Sequence, residues 1–256
     1  MSAATEGLVI STFSDDVATL TLNRPAKLNA VIPELVDELC TALEGAIRTG
    51  VGALVLAGAG RSFCSGHDLE ANSPADDLGQ LRAQLERIQD VTRLVRAAPF
   101  PVISKVHGYA LGAGCEFALC SDLVVAARDA EFGFPEVGVG LSITGGISRL
   151  LPTAVGLVTA KELVLLGERF GAPRAKELGL VNLVVERNEL DDAVWRWATA
   201  LAARPRLAMR LAKAALDNGV GELDSAFETE IGHAMVTQVS PGARQAAAGF
   251  VGRDRG

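Results

Sequence analysis

In residues 101–136, PVISKVHGYALGAGCEFALCSDLVVAARDAEFGFPE, a short apolar run meets a glycine-rich turn and then a helix that carries a carboxylate. Residues 101–106 have the pattern of a buried strand, being brief, β-branched and bounded by Pro and Gly. Gly108, Gly112 and Gly114 then loosen the backbone ahead of the apolar run Cys115, Phe117, Ala118, Leu119 and Cys120. A helix starting there turns its free N–H groups back toward the glycines, where they and the positive end of the helix suit a developing oxyanion. Glu116 falls in the first helical turn, and Glu136 follows a second strand-like run, residues 123–127, and a bend. Two acids beside an anion-binding turn point to acid/base chemistry on a carbonyl compound.

Composition narrows the class. At 256 residues the chain is long enough for one large domain with a substantial apolar interior, and 49% hydrophobic with 21% charged residues excludes disordered and fibrous classes. A net charge of -7 and a pI near 5.1 argue against a nucleic-acid partner, which needs a basic face. Cys40, Cys64, Cys115 and Cys120 form no CxxC pair and no ligand ladder with His67, His107 and His233, so reduced core thiols and no metal site are expected. The start MSAATEGLVI lacks the plan of a secretory or organellar leader, and the most apolar long window, residues 110–127, is interrupted by Glu116, Ser121, Asp122 and glycines. A cytoplasmic protein with no membrane partner is expected.

Along the chain, residues 8–12 and 17–22 outline a hairpin, and residues 33–48 carry apolar side chains at helical spacing up to Gly50. Residues 51–57 follow as a strand parallel to its predecessor, because a helix separates them. Ser73-Pro74 suits a helix start, and that helix continues through Leu94 and Val95 to the stop at Pro99 and Pro101. Beyond the central stretch only residues 180–185 read as a clear strand. From Glu189 helices are expected, broken at Arg204-Pro205, at residues 219–221 and at Ser240-Pro241-Gly242, and their apolar faces must be buried on the chain's own core or on another subunit.

GYALGAGCEFALCSD followed by FGFPEVGVG closely resembles the crotonase, or enoyl-CoA hydratase/isomerase, family. The likeness continues upstream in LTLNRPAKLNAV and GAGRSFCSGHDL, and downstream in GISRLLPTAVG, AKELVLLGERF and AKELGLVNLVV. Several motifs in register are far more specific than any one. The resemblance implies an α/β fold: a crotonase-like spiral of ββα units over residues 1–188 carrying the acyl-CoA site, then a helical C-terminal trimerisation region, 189–256. It implies a homo-oligomer, trimer or dimer of trimers, an acyl-CoA thioester as substrate and no separate cofactor.

Carried over by motif, the two hydratase glutamates fall on Glu116 and Glu136, 20 positions apart, and the oxyanion-hole amides on His67 and Ala113, the latter glycine in many relatives. Having both acids favours addition of water to a 2-enoyl-CoA over movement of its double bond, for which relatives usually keep only the second. CoA binding is implied for the turn holding Arg24, Ala26 and Lys27 and for the loop Ser65, Gly66, Asp68 and Leu69; Arg253 in GFVGRDRG is a looser match. After Glu136 the chain departs from the family pattern, having Leu141-Ser142-Ile143-Thr144-Gly145-Gly146 where many hydratases have a proline-glycine pair and further glycines. An isomerase, another crotonase-type acyl-CoA enzyme or a non-catalytic acyl-CoA-binding member are the alternatives.

Blander readings stand beside these. On spacing alone Glu116 is a first-turn residue stabilising a helix end, Glu136 an acid on a surface bend, His67 a surface or pocket-wall histidine, and Asp68 a cap for the next turn. Gly112-Ala113-Gly114 with Asp129 also outlines a worn dinucleotide fingerprint, but Phe117 occupies the third glycine position. Trp195 and Trp197 read as packing residues.

Overall fold

In the computed structural model the described residues are 7–71 and 77–218, with 231, 232 and 235 beyond them. In chain order the elements are β1 (Val9–Ser14), β2 (Val17–Leu22), α1 (Pro33–Thr49), β3 (Ala53–Gly58), α2 (Leu78–Ala97), β4 (Val102–Val106), β5 (Tyr109–Leu111), α3 (Ala113–Leu119), β6 (Leu123–Ala127), β7 (Glu131–Gly133), α4 (Ile147–Val155), α5 (Leu157–Leu166), β8 (Phe170–Gly171), α6 (Ala172–Glu177), β9 (Leu183–Val185), α7 (Leu190–Ala202) and α8 (Arg206–Asn218). The proposed start of the second helix at Ser73-Pro74 lies outside the described residues. Within them, Asp77 caps α2, its side chain accepting from the Gly79 amide at 2.8 Å.

Six strands make the main sheet in the order β1-β2-β3-β4-β6-β9; β1 and β2 are an antiparallel hairpin and the remaining pairs are parallel. Parallel strands covered on both faces need apolar residues on both, and their period of two sorts these into two cores. Leu54 and Leu56, Val102 and Val106, Val124 and Ala126 face the larger core with α1, α2 and α3. Ala53 and Val55, Ile103, Val125 and Ala127 face the other side, where α7 covers them with Leu190, Ala193, Val194 and Ala198. Complete burial of a side chain such as Leu190 or Val194 stabilises by roughly 1.5–3 kcal/mol. Helix α7 therefore buries its apolar face on the chain's own sheet, one of the two possibilities open from the sequence. Leu157, Val158, Leu165 and Leu166 of α5 remain exposed.

A second sheet of three short strands, β5-β7-β8, stands beside the first. After each long parallel strand the chain touches this second layer before turning into a helix. Following β3, Cys64 bridges Ala110 of β5; following β4 comes β5 itself; following β6 comes β7, paired with β5 through Tyr109 and Glu131. The same step recurs after β2, where Val31 bridges His67. Repetition of this turn builds a spiral of ββα units, the α/β architecture expected from the motifs. Strands β5, β7 and β8 were not visible in the sequence.

Candidate active site

The spiral brings the 64–68 loop against the start of α3. Gly66 (φ +90°) lies so close that a side chain there would meet the Leu111 carbonyl oxygen at 2.7 Å and the Gly112 Cα at 3.6 Å. Gly112 precedes α3 at φ 53°, ψ -127°, a conformation open to glycine alone. The adjoining amides, of His67 and Ala113, have no acceptor among the described residues, whereas their neighbours do. Val31 donates to the Gly66 carbonyl at 2.8 Å, Asp68 to the Val31 carbonyl at 2.9 Å and Glu116 to the Gly112 carbonyl at 3.0 Å. Unpaired main-chain donors in a folded interior are uncommon and point to a ligand or water.

The two acids converge on the same place. Gly112 donates to the Gly133 carbonyl at 3.0 Å, so the start of α3 and the end of β7 leave the small sheet side by side. Glu136 follows in a 3-10 turn, and a side chain on Gly112 would meet its Oε1 at 3.2 Å. Glu116 and Glu136 are 1% and 7% exposed, far from the surface acids that spacing alone allowed. Their surroundings differ. Glu116 Oε1 accepts from the Thr144 amide and Oε2 from the Thr144 hydroxyl, each at 2.7 Å. Both carboxyl oxygens of Glu136 are buried with no hydrogen-bond partner among the described residues. Burial, and then the nearby Glu116, push the Glu136 carboxyl up to about 8, so that it is protonated at neutral pH.

The raised carboxyl couples stability to pH with a definite sign. In the folded chain Glu136 keeps its proton to about pH 8, whereas its ordinary ionisation lies near 4.5. Between these values the folded state binds more protons than the unfolded one, so stability falls as pH rises through the window and levels off above it. Glu136→Gln removes the titration. Its melting temperature relative to wild type is expected to rise from about pH 5 to about pH 8, and a difference that stays flat across that range in thermal unfolding contradicts the assignment.

The loops matched to CoA binding also lie together, Ser65 donating to the Leu28 carbonyl at 3.0 Å. Arg24 turns inward: Nη1 meets Asp68 Oδ2 at 2.7 Å and donates to the Ala30 carbonyl at 3.0 Å. Asp68 Oδ1 accepts from the Glu70 and Ala71 amides at 3.2 and 3.1 Å, the turn cap foreseen for it. Lys27 and Glu70 form an exposed pair at 3.0 Å, which contributes under about 1 kcal/mol and leaves the ammonium available to a phosphate. Ala26 is exposed and Leu69 half-buried; Arg253 lies outside the described residues. His67 lines a cavity of about 330 Å3 between α1 and α2, walled by Val36, Leu81, Leu85 and Ile88. That cavity touches neither glutamate. Burial lowers the His67 imidazole to about 4, which keeps it neutral.

Two residues escaped the sequence reading. Asn29, fully buried at φ 57°, accepts from the Arg24 amide at 2.8 Å and donates to the Ala59 and Ser62 carbonyls at 2.9 Å, tying the first loop to the second. An asparagine in a turn, where the left-handed region is tolerated, was its signal. Thr144 lies in the segment singled out only as a departure, and nothing local shows that it reaches Glu116. All four cysteines are free and buried, and burial lifts the Cys40, Cys64 and Cys120 thiols to about 12, as inert core thiols require. Among the described residues no cluster of His, Cys, Asp and Glu is suited to a metal, and no helix is long and apolar enough to cross a membrane.

Residues 12–249 match the family model for enoyl-CoA hydratase/isomerase. The chain belongs to that family. It is similar to the 1,2-epoxyphenylacetyl-CoA isomerase of Escherichia coli K12, at 34% identity over 96% of this chain and 95% of the relative. It is also similar to the short-chain-enoyl-CoA hydratase of Clostridium acetobutylicum, at 35% identity over 84% of each. Among solved structures, an enoyl-CoA hydratase from Mycobacterium avium subsp. paratuberculosis K-10 superposes with a TM-score of 0.89 at 31% identity over 96% of both chains. The crotonase fold and a crotonase-type reaction on a CoA thioester thus stand for this enoyl-CoA hydratase/isomerase family member, while its relatives divide between hydration and isomerisation.

Proposed function

We propose that the protein adds water to the double bond of 2-enoyl-CoA thioesters, giving 3-hydroxyacyl-CoA. One observation carries this reading: two buried carboxyl groups lie beside the Gly112 turn, whose adjoining amide has no acceptor among the described residues, with Thr144 donors on one acid and no donor from another residue on the other. In this reaction the Glu116 carboxylate takes a proton from water as its oxygen bonds to the β-carbon. The alkene electrons move toward the thioester oxygen, which the His67 and Ala113 amides stabilise as an enolate. The Glu136 carboxylic acid then delivers its proton to the α-carbon, and transfer of a proton from Glu116 to Glu136 restores the starting state.

Mixing the protein with short and medium-chain 2-enoyl-CoA thioesters is expected to bleach the enoyl-thioester absorbance and yield a product heavier by one water. The rate is expected to fall above about pH 8 as Glu136 loses its proton. A folded protein that leaves the whole panel unchanged sinks the reading. A second reading is isomerisation through Glu136 alone, favoured by the occupation of both Glu116 oxygens by Thr144. Its product has the mass of the substrate and a relocated double bond.

A further inference from the structure

We propose that Thr144 is a positioning residue for Glu116: its amide and hydroxyl clamp the two carboxyl oxygens, hold that side chain as the anion and leave Glu136 as the member of the pair that carries the proton. This rests on the hydration reading for its catalytic meaning, though not for its geometry.

The segment that departs from the family pattern connects the two acids directly. At one end the Leu141 amide donates to the Glu136 carbonyl at 2.8 Å. At the other, Thr144 reaches Glu116 with two donors of different kinds, one fixed in the main chain and one on a side chain that is 4% exposed. The next residue closes the clamp from behind. Gly145, at φ +63°, lies against Glu116 so tightly that a Cβ there would stand 2.8 Å from the Glu116 Cβ and 3.0 Å from Oε2. Its carbonyl accepts from the Thr92 hydroxyl of α2 at 3.0 Å, and the Ile147 amide donates to the Thr144 carbonyl at 3.1 Å as α4 begins. Glu116 is thus held by a turn that α2 and α4 both anchor, while among the described residues no other residue donates to the Glu136 carboxyl, near which only its own main-chain amide lies.

Donors on a carboxylate favour its ionised form, and an apolar enclosure without donors favours the neutral acid. Two adjacent acids in these two environments cannot be equivalent, and the difference assigns the proton. Among the described residues, the titratable groups seen to act with the pair include Cys64 and Cys115. Both are buried thiols that burial keeps neutral, and no arginine, lysine or histidine among the described residues acts on Glu136. Thr144 therefore contributes donors to one acid that the other does not receive.

Two measurements decide the matter. Infrared spectra of the resting full chain at neutral pH are expected to contain a carboxylic-acid C=O band that vanishes in Glu136→Gln and survives in Glu116→Gln; the reverse assignment overturns the proposal, and neither spectrum needs turnover. In kinetics, Thr144→Val keeps the shape and removes the hydroxyl, so the acidic limb of kcat/KM is expected to move up by about one to two pH units. With it, kcat is expected to fall about 10- to 100-fold at little change in KM, and Thr144→Ser is expected to restore both. A Val variant with the wild-type limb overturns the proposal. If Thr144→Val does not fold, Thr144→Ala is read in its place, and a wild-type acidic limb in that variant overturns the proposal. If the wild type consumes no enoyl thioester, the hydration reading falls alone, and the location of the proton remains a separate result.

Discussion

Replacing Glu136 by Gln is expected to lower kcat by about 10²–10⁴-fold with a far smaller change in KM, because the variant keeps the volume of the side chain and loses its transferable proton. The structure makes this substitution clean. The Glu136 carboxyl has no hydrogen-bond partner among the described residues, so no packing network is broken when it becomes an amide. Glu116→Gln is expected to cost a similar factor in hydration for the opposite reason, loss of a base. Here a structural detail softens the change: the glutamine side chain keeps one carbonyl oxygen for the Thr144 amide, and the Thr144 hydroxyl can rotate to accept from the new amide group. The pair of variants also separates the two reactions. Hydration needs both acids, whereas isomerisation through Glu136 survives loss of Glu116. A Glu116→Gln protein with wild-type hydratase turnover contradicts the two-acid mechanism.

The second large effect is expected from a variant that removes a single hydrogen atom's worth of chemistry. Ala113 is the first residue of α3, the position at which proline is best tolerated because the N–H there has no intrahelical acceptor. Ala113→Pro deletes the amide proposed to face the thioester oxygen. Loss of one such donor typically raises the barrier by about 3–4 kcal/mol, a rate reduction of about 10²–10³-fold. Ala113 is 1% exposed, so the added ring carbons are a packing test as well as an electrostatic one. Ala113→Ser supplies the control, adding a side-chain atom while keeping the N–H. Turnover with crotonyl-type thioesters should collapse in the proline variant and persist in the serine variant. Equal losses in both would trace the effect to crowding, and full activity of the proline variant would remove the Ala113 amide from the mechanism.

The physical basis of these expectations was unevenly legible in the chain. Strands β3, β4 and β6 are short apolar runs separated by helices, and local composition suffices to mark them as parallel and buried. The glycine-rich turn before Glu116 announces itself for the same reason, since few other residues adopt the conformation of Gly112. Strands β5, β7 and β8, by contrast, contain three, three and two residues. Segments so brief carry no periodicity, and they are strands only because β7 lies between β5 and β8. Yet this small sheet is what carries the Glu136 turn to Gly112.

Motif order was therefore enough for the fold class, and local pattern for the glycine turn, while the two acids were singled out by the resemblance and their roles belong to the proposal. Which acid holds the proton, and what the altered 141–146 segment is for, depend on contacts across the fold. Thr144 meets Glu116 from 28 positions away, and Glu136 is raised because folding closes apolar walls around it and seats it near another carboxylate. Desolvation and through-space charge have no signature in sequence spacing, because both are properties of the volume around a side chain rather than of the residues that precede and follow it.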